Sequence, residues 1–265
     1  MSDILEKLYA AKAAALEEEQ RRESLAEVVE RGLSRRAQRR SLSAALRGAR
    51  GPAIIAEIKR ASPSLGLIAR NFDPAQIAAT YERAGADAVS VLTEADHFLG
   101  DLAYLDVARA NCARPILRKD FLTTPYQIAQ ASAYGADAVL LIVAGLTDEQ
   151  LRTLSEEARR FDLDVVVEIH DEEELRRALP VRPDVLGVNN RDLRTFTTDL
   201  GVTEYLLPSI PADILVVSES GVQNAGDIAN LYARGAHGFL VGESLMRSED
   251  PVALIDELKH GRVLR

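Results

Sequence analysis

Glu57 and Lys59 close an apolar run that begins at Ala53. Lys119 follows the run Pro115–Leu117, Glu168 closes Asp164–Ile169, and Asn189 follows Val185–Val188. In an extended chain Glu57 and Lys59, two residues apart, lie on one side. Ammonium and carboxylate groups at one mouth suit acid–base chemistry on an anion, since lysine protonates an oxygen and a carboxylate takes or returns a proton. Such charges are costly inside a protein unless paired or functional. A structural ring of ion pairs is the plain alternative, above all for a single member such as Glu219. Two later runs end in small residues, Ser220-Gly221 after Ile214–Val217 and Gly242-Glu243 after Gly238–Val241. Either glycine alone reads as a turn. Together they favour a phosphate site, because glycine lets backbone N–H groups approach a ligand. His170 precedes a run of acids that suits a helix start and reads as a loop or capping histidine. His97 has no partner that the sequence names. No His/Asp/Glu spacing resembles a metal site, and Cys112 reads as a buried filler.

The elements that must hold these residues follow from texture. After Gly51-Pro52, eight short runs rich in Val, Ile and Leu alternate with helical stretches: Ala53–Ile58, Ala88–Leu92, Pro115–Leu117, Ala138–Val143, Asp164–Ile169, Val185–Val188, Ile214–Val217 and Gly238–Val241. Near-continuous apolar runs mark strands buried on both faces of a parallel sheet. Helix-length segments such as Pro74–Ala84, Pro125–Tyr134, Asp148–Phe161 and Asn224–Arg234 lie between them. The sequence also echoes itself: Gly85-Ala-Asp-Ala-Val89 recurs at Gly135–Val139 and more loosely at Gly235–Phe239. Those offsets match two and four strand–helix units. The reading is a (β/α)8 TIM barrel of the α/β class, residues 51–265, with an N-terminal helical extension, residues 1–50, packed on it as one overall domain. A doubly wound open sheet is the structural alternative; it would more often carry G-x-G-x-x-G, which is absent here.

In the extension, Asp3 with Glu6 and Ser24 with Glu27 have capping-box spacing. Ile4, Leu5, Leu8, Ala11 and Ala15 form an apolar stripe. Seven arginines between Arg31 and Arg50, with no acid among them, stand against a formal net charge of −9. They read as a solvated helix face or as a positive rim at the barrel mouth that attracts an anionic ligand. The acidic balance argues against nucleic-acid binding. The longest apolar run is far short of the roughly 20 residues a bilayer needs. Acids at the N-terminus argue against a signal peptide, and one cysteine among four histidines fits a cytoplasmic setting.

Several segments resemble the indole-3-glycerol phosphate synthase family. They are IAEIKRASPSLG from Ile55, SVLTEADHFLG from Ser90, PILRKDFLTTPYQI from Pro115, VEIHDEEEL from Val167, GVNNRDL from Gly187, VSESGV from Val217 and LVGESLMR from Leu240. The resemblance implies ring closure, decarboxylation and dehydration of 1-(2-carboxyphenylamino)-1-deoxyribulose 5-phosphate in tryptophan biosynthesis. It implies no cofactor or metal, a small phosphorylated substrate as partner, and leaves open association with other enzymes of the pathway. Lys119 matches the general acid of closure and Glu168 the acid–base group of dehydration. Glu57 and Asn189 match orienting groups, and Lys59 a lysine near the substrate's anionic ends. Ser62 matches a mobile loop, Phe121 an aromatic enclosure, and Arg191 a carboxylate clamp or brace. Ser220, Gly221, Gly242 and Glu243 match phosphate positions. Leu65 and Asp101 depart from the family's usual lysine and serine, which bears on loop closure rather than on the reaction.

Two other readings compete. A Schiff-base aldolase would use a strand-end lysine that loses its proton readily, and Lys119, with cationic Arg118 and Lys59 as neighbours, fits that electrostatically. A barrel that only binds a phosphorylated metabolite would not need Glu57, Lys59, Lys119, Glu168 and Asn189 together.

Overall fold

Eight apolar runs become eight parallel strands: β1 Ala53–Ile58, β2 Ala88–Leu92, β3 Ile116–Lys119, β4 Ala138–Ile142, β5 Asp164–Ile169, β6 Val185–Asn189, β7 Leu215–Glu219 and β8 Gly238–Val241. Each pairs with its sequence neighbours, and β8 pairs with β1, so the sheet closes. Closure excludes the open-sheet alternative. The computed structural model describes residues 3–192 and 195–261, with side chains from Leu8 onward. Ile4, Leu5 and the Asp3–Glu6 capping box therefore lie outside the described side chains.

Strand ends differ from the sequence reading where it matters for chemistry. Lys119, Asn189 and Glu219 are the last residues of β3, β6 and β7 rather than the start of loops. An apolar-run rule stops at the first polar residue, whereas the backbone ladder continues and carries these side chains on rigid strand.

The helices on the barrel are α4 Pro74–Arg83, α5 Ala103–Asn111, α6 Pro125–Ala133, α7 Asp148–Arg160, α8 Glu172–Ala178, α9 Gly201–Leu206, α10 Ala225–Ala233, α11 Glu243–Arg247 and α12 Pro251–His260. The echo is structural. Gly85, Gly135 and Gly235 all have positive φ, a region open to glycine at little cost. The third residue of each copy then ties down the preceding strand: Ile54 N–H donates to Asp87, Ile116 N–H to Asp137, and Val216 N–H to His237 Nδ1. Cys112 is buried, and its thiol donates to Glu82 at 3.0 Å.

The extension forms α1 Asp3–Arg22, α2 Leu25–Ser34 and α3 Leu42–Arg47, and Ser24 and Glu27 make the capping box at α2. It spans the barrel from end to end. At the top, Leu8 packs with Phe121; at the bottom, Leu42 and Leu46 pack beneath Ala53, Ala88, Val185 and Leu215, the first residues of their strands or next to them. Burying each of these leucines contributes about 1.5–3 kcal/mol. Between the two ends α2 runs along α6.

That path overturns the positive rim. The arginines lie along the flank and bottom, not at the mouth. Arg35 pairs with Asp106 and Arg36 with Asp162, while Arg39 and Arg40 donate to the carbonyls of Ala136 and Cys112. They clamp the extension to exposed carbonyls and acids at the strand starts. Among the described residues no helix is long and apolar enough to cross a membrane.

Candidate active site

Side chains alternate along a strand, so on β3 Arg118 and Lys119 point opposite ways. Arg118 faces outward, fully buried, and donates to Asp120, Thr93, Gln130 and the Gln127 carbonyl. Lys119 points into the barrel, with Nζ 3.0 Å from Glu168 Oε2 and 3.1 Å from Glu219 Oε2. Glu168 Oε1 accepts from Asn189 Nδ2 at 2.9 Å. One wall away, Lys59 Nζ lies 2.6 Å from Glu57 Oε2. The floor of the mouth is thus two lysines held by three carboxylates and an amide.

This corrects the electrostatic expectation for Lys119. Its neighbours are not Arg118, which is on the other face, nor a free Lys59, which is matched by Glu57. Burial alone would loosen the Lys119 proton, but Glu168, Glu219 and Glu57 outweigh it and hold the ammonium well above the usual lysine range. The aldolase reading loses its support, because that chemistry needs a neutral amine. The carboxylates split in opposite directions. Burial raises Glu168, but Lys119, His170 and the Asn189 hydrogen bond prevail and keep it ionised below the ordinary carboxylate range. Glu219 is pushed up, chiefly by burial and with the Glu168 charge adding to it against Lys119.

All twelve residues singled out from sequence line one cavity of about 520 Å³ at the C-terminal ends of the strands. That size suits a small ligand. Its apolar wall is Leu8 from α1 with Phe98, Phe121, Leu140 and Ile142. Tyr9 braces Phe121 edge-on at 5.5 Å, and Phe98 meets Phe121 at 6.2 Å. Phe98 sits on a loop shaped by buried Glu94, whose carboxylate accepts the N–H groups of Asp96, His97 and Phe98. The same carboxylate is the partner of His97 Nδ1 that the sequence left unnamed, at 3.2 Å. At the rim, Arg191 Nη1 donates to Ser64 Oγ at 2.9 Å and Nη2 lies 3.8 Å from Glu243. Ser62 Oγ is 3.5 Å from Ser64 Oγ. Leu65 is exposed on this same loop, and Asp101 accepts the Ala103 N–H at the start of α5.

Opposite the apolar wall, Ser220 and Gly221 are both in left-handed backbone, φ 64° and 88°. Glycine there lets a ligand approach the backbone closely, in a loop where barrels commonly bind phosphate. Gly242 precedes the short α11, as in barrels whose last two loops hold phosphate. Gly242 has a second role that the sequence did not suggest. A Cβ there would run into the Glu57 carboxylate and come within 3.0 Å of Lys59 Nζ. Glycine here makes room for the Glu57–Lys59 pair.

Two residues at the site escaped the sequence reading. Sequence alone leaves Glu219 among structural ion pairs, yet it contacts Lys119, the central lysine of the site, directly. The available signal was its strand-end position, equivalent to that of Glu168. His170 reads from sequence as a loop or capping histidine. Its Nδ1 lies 3.0 Å from Glu174 Oε2, but its Nε2 is turned to Glu168 Oε1 at 3.5 Å.

A closed barrel that gathers ammonium and carboxylate groups under an apolar wall, beside glycine-bearing loops after its last two strands, is an enzyme of acid–base chemistry on an anionic substrate. Comparison with known proteins narrows the class. The family model described as Indole-3-glycerol phosphate synthase matches residues 5–258, and the chain belongs to that family. A curated relative named indole-3-glycerol phosphate synthase from Acidithiobacillus ferrooxidans is 47% identical over 263 residues, 98% of each chain. Another of that name from Polaromonas sp. is 45% identical over 261 residues, 97% of this chain and 98% of its own. Among solved structures, thiamine phosphate pyrophosphorylase from Pyrococcus furiosus aligns at TM-score 0.57 and 17% identity, over 78% of this chain and 93% of its own. One described as "Native KDPGal structure" aligns at 0.55 and 17%, over 77% and 91%. These two share the fold alone.

Proposed function

We propose that the chain is an indole-3-glycerol phosphate synthase that closes, decarboxylates and dehydrates 1-(2-carboxyphenylamino)-1-deoxyribulose 5-phosphate. The observation that carries this reading is Lys119 held between Glu168 and Glu219 at the floor of an apolar pocket. Closure turns the substrate ketone into an alcohol, so its oxygen gains a proton as the carbon–carbon bond forms. Lys119 supplies it. An ammonium held by carboxylates still donates to a developing alkoxide, the stronger base, and stabilises its charge as it forms. Loss of CO2 restores the aromatic ring. Glu168 then serves the dehydration, oriented by Asn189. Glu57 orients Lys59, which faces the substrate's anionic ends. Phe121 and Phe98 enclose the ring, Arg191 holds the carboxylate, Ser62 lies in the loop that covers the site, and Ser220, Gly221, Gly242 and Glu243 hold the phosphate.

These roles use side chains and backbone of this chain alone. Residues 1–50 act with the barrel as one domain, since α1 completes the apolar wall. A cytoplasmic location beside other enzymes of tryptophan biosynthesis belongs to the same reading and rests on the family. Incubation with the carboxyphenylamino substrate tests it through indole emission, which no tryptophan of the chain masks. Growth of that emission with release of one CO2 per product is expected; a keto-sugar phosphate trapped on Lys119 by borohydride would return the aldolase reading.

A further inference from the structure

Asn189 and Asn190 are adjacent, and their side chains serve different places. Asn189 Nδ2 donates to Glu168 in the mouth. The Asn190 side chain is buried between the end of β7 and the start of α9, set back from the cavity wall. Its Nδ2 donates to Ser218 Oγ at 2.9 Å, to the Glu219 carbonyl at 2.9 Å and to the Ser220 carbonyl at 3.0 Å. Its Oδ1 accepts the Thr203 backbone N–H at 3.1 Å and the Thr203 hydroxyl at 2.7 Å. Carbonyls only accept and a backbone N–H only donates, so the amide has one orientation that satisfies both sides. The Glu219 carbonyl also accepts the Asn190 backbone N–H at 2.9 Å and keeps a partner without the side chain. The Ser220 carbonyl has Asn190 Nδ2 as its one protein hydrogen-bond partner among the described residues.

We propose that Asn190 is the positioning residue for the phosphate of the substrate: it holds Ser220-Gly221 in the backbone that meets that group, and touches no substrate itself. The proposal rests on the function above, in which these two residues hold the phosphate. Ser220 is the residue that needs holding. Its φ of 64° puts a side chain in left-handed backbone, which persists only where the surroundings enforce it. Gly221 is closed in from the other side, since a Cβ there would meet Thr198 Cγ2 at 2.6 Å. The loop that carries Thr198 also returns to Asn190, whose backbone carbonyl accepts the Asp199 N–H at 3.0 Å. Both walls of the Ser220-Gly221 turn are therefore tied to this one residue. Next to it Arg191 leaves toward the rim, its N–H donating to Asn189 Oδ1 at 3.1 Å. Asn190 thus fixes where the phosphate loop stands relative to the arginine that holds the substrate carboxylate.

Asn190→Ala removes the hold on the Ser220 carbonyl and leaves Lys119, Glu168 and Asn189 as they are. KM should rise by about tenfold or more while kcat changes less than about threefold. The dissociation constant of inorganic phosphate, measured by calorimetry on ligand-free protein, should rise by about the same factor as KM. Ser218→Ala is the control for packing. It takes one neighbour from the same amide, leaves Nδ2 on both carbonyls, and should lower Tm with KM and phosphate affinity within about twofold of wild type. Asn190→Asp at pH 8 serves if the alanine variant does not fold. It keeps the size and the Thr203 contacts but sets an acceptor oxygen against the Ser220 carbonyl, and the same rise in both constants is expected. Unchanged phosphate affinity in the Asn190 variant, an equal loss in Ser218→Ala, or a wild type that takes up no phosphate would overturn the role. If wild type makes no indole product while the Asn190 variant loses phosphate, the reaction reading fails and the positioning role stands.

Discussion

Gly187 and Glu219 occupy one space between β6 and β7: a Cβ at residue 187 would fall on the Glu219 carboxylate. Gly187 is thus what lets a third carboxylate reach Lys119. The glycine is buried in mid-strand, where it weakens the strand rather than shaping a turn. Gly187→Ala should push Glu219 off Lys119, lowering kcat by on the order of 10²-fold, the cost of a displacement of about 1 Å at a catalytic group. Circular dichroism should show the barrel retained. A variant with wild-type kcat would mean that Glu219 serves packing only.

Glu219 also predicts a pH dependence. Its folded proton affinity is raised above the unfolded carboxylate, mainly by burial, so the native state binds the extra proton more tightly. Stability from such a group is complete below the unfolded carboxylate range and is lost as pH rises through the raised value. Glu168 acts in the opposite sense, contributing above the ordinary carboxylate range and losing its contribution as pH falls. Glu219→Gln should therefore melt higher than wild type at pH 8 and close to it at pH 4.5, while kcat falls. A difference in Tm that stays constant across that range would remove Glu219 as the cause.

The extension yields a prediction opposite to the one its arginines suggest in sequence. Leu8 walls the cavity, Tyr9 braces Phe121, and buried Lys12 lies 2.9 Å from Asp120, the residue between Lys119 and Phe121. Burial would raise the Asp120 carboxyl, but Arg118 and Lys12 hold it far below the ordinary range. Removing residues 1–22 opens the wall and leaves the arginine clamp in place. KM should rise by roughly tenfold, with the ratio to full-length KM equal at low and high salt, because the lost contacts are apolar or buried and escape screening. A ratio that shrinks with salt would mean that α1 helps binding through screened charges rather than through the apolar wall.

The fold and much of the site were legible for definite reasons. Barrel strands are buried on both faces and leave unbroken apolar runs, and Gly85, Gly135 and Gly235 mark repeated turns because each needs left-handed backbone. What was hidden is relative direction. Arg118 and Lys119 are adjacent in sequence and face opposite sides of the sheet, so proximity along the chain gave the wrong electrostatics for Lys119. The arginines of the extension looked free because partners such as Asp106, Asp162 and the carbonyls of Ala136 and Cys112 lie 71 to 126 residues further along the chain. Gly242 looked like a phosphate glycine alone, since nothing in sequence places Glu57 against it across β1 and β8.

Lys119 offers the sharpest test of the reaction. It is the one ammonium contacting both Glu168 and Glu219 among the described residues, while Lys59 is matched by Glu57 as a separate pair. Lys119→Met keeps most of the stem and removes both the proton and the charge that binds the two carboxylates. kcat should fall by at least roughly 10²-fold, the contribution of a positioned acid, with KM moving far less. Stability should fall too, more at pH 8 than at pH 5, because Glu168 and Glu219 then face each other without a cation and can relieve the repulsion only by taking up a proton. Lys59→Met leaves Lys119 between its carboxylates and should raise KM more than it lowers kcat. If instead Lys59→Met abolishes kcat and Lys119→Met stays near wild type, the acid of ring closure is Lys59, and Lys119 serves to hold Glu168 and Glu219 in place.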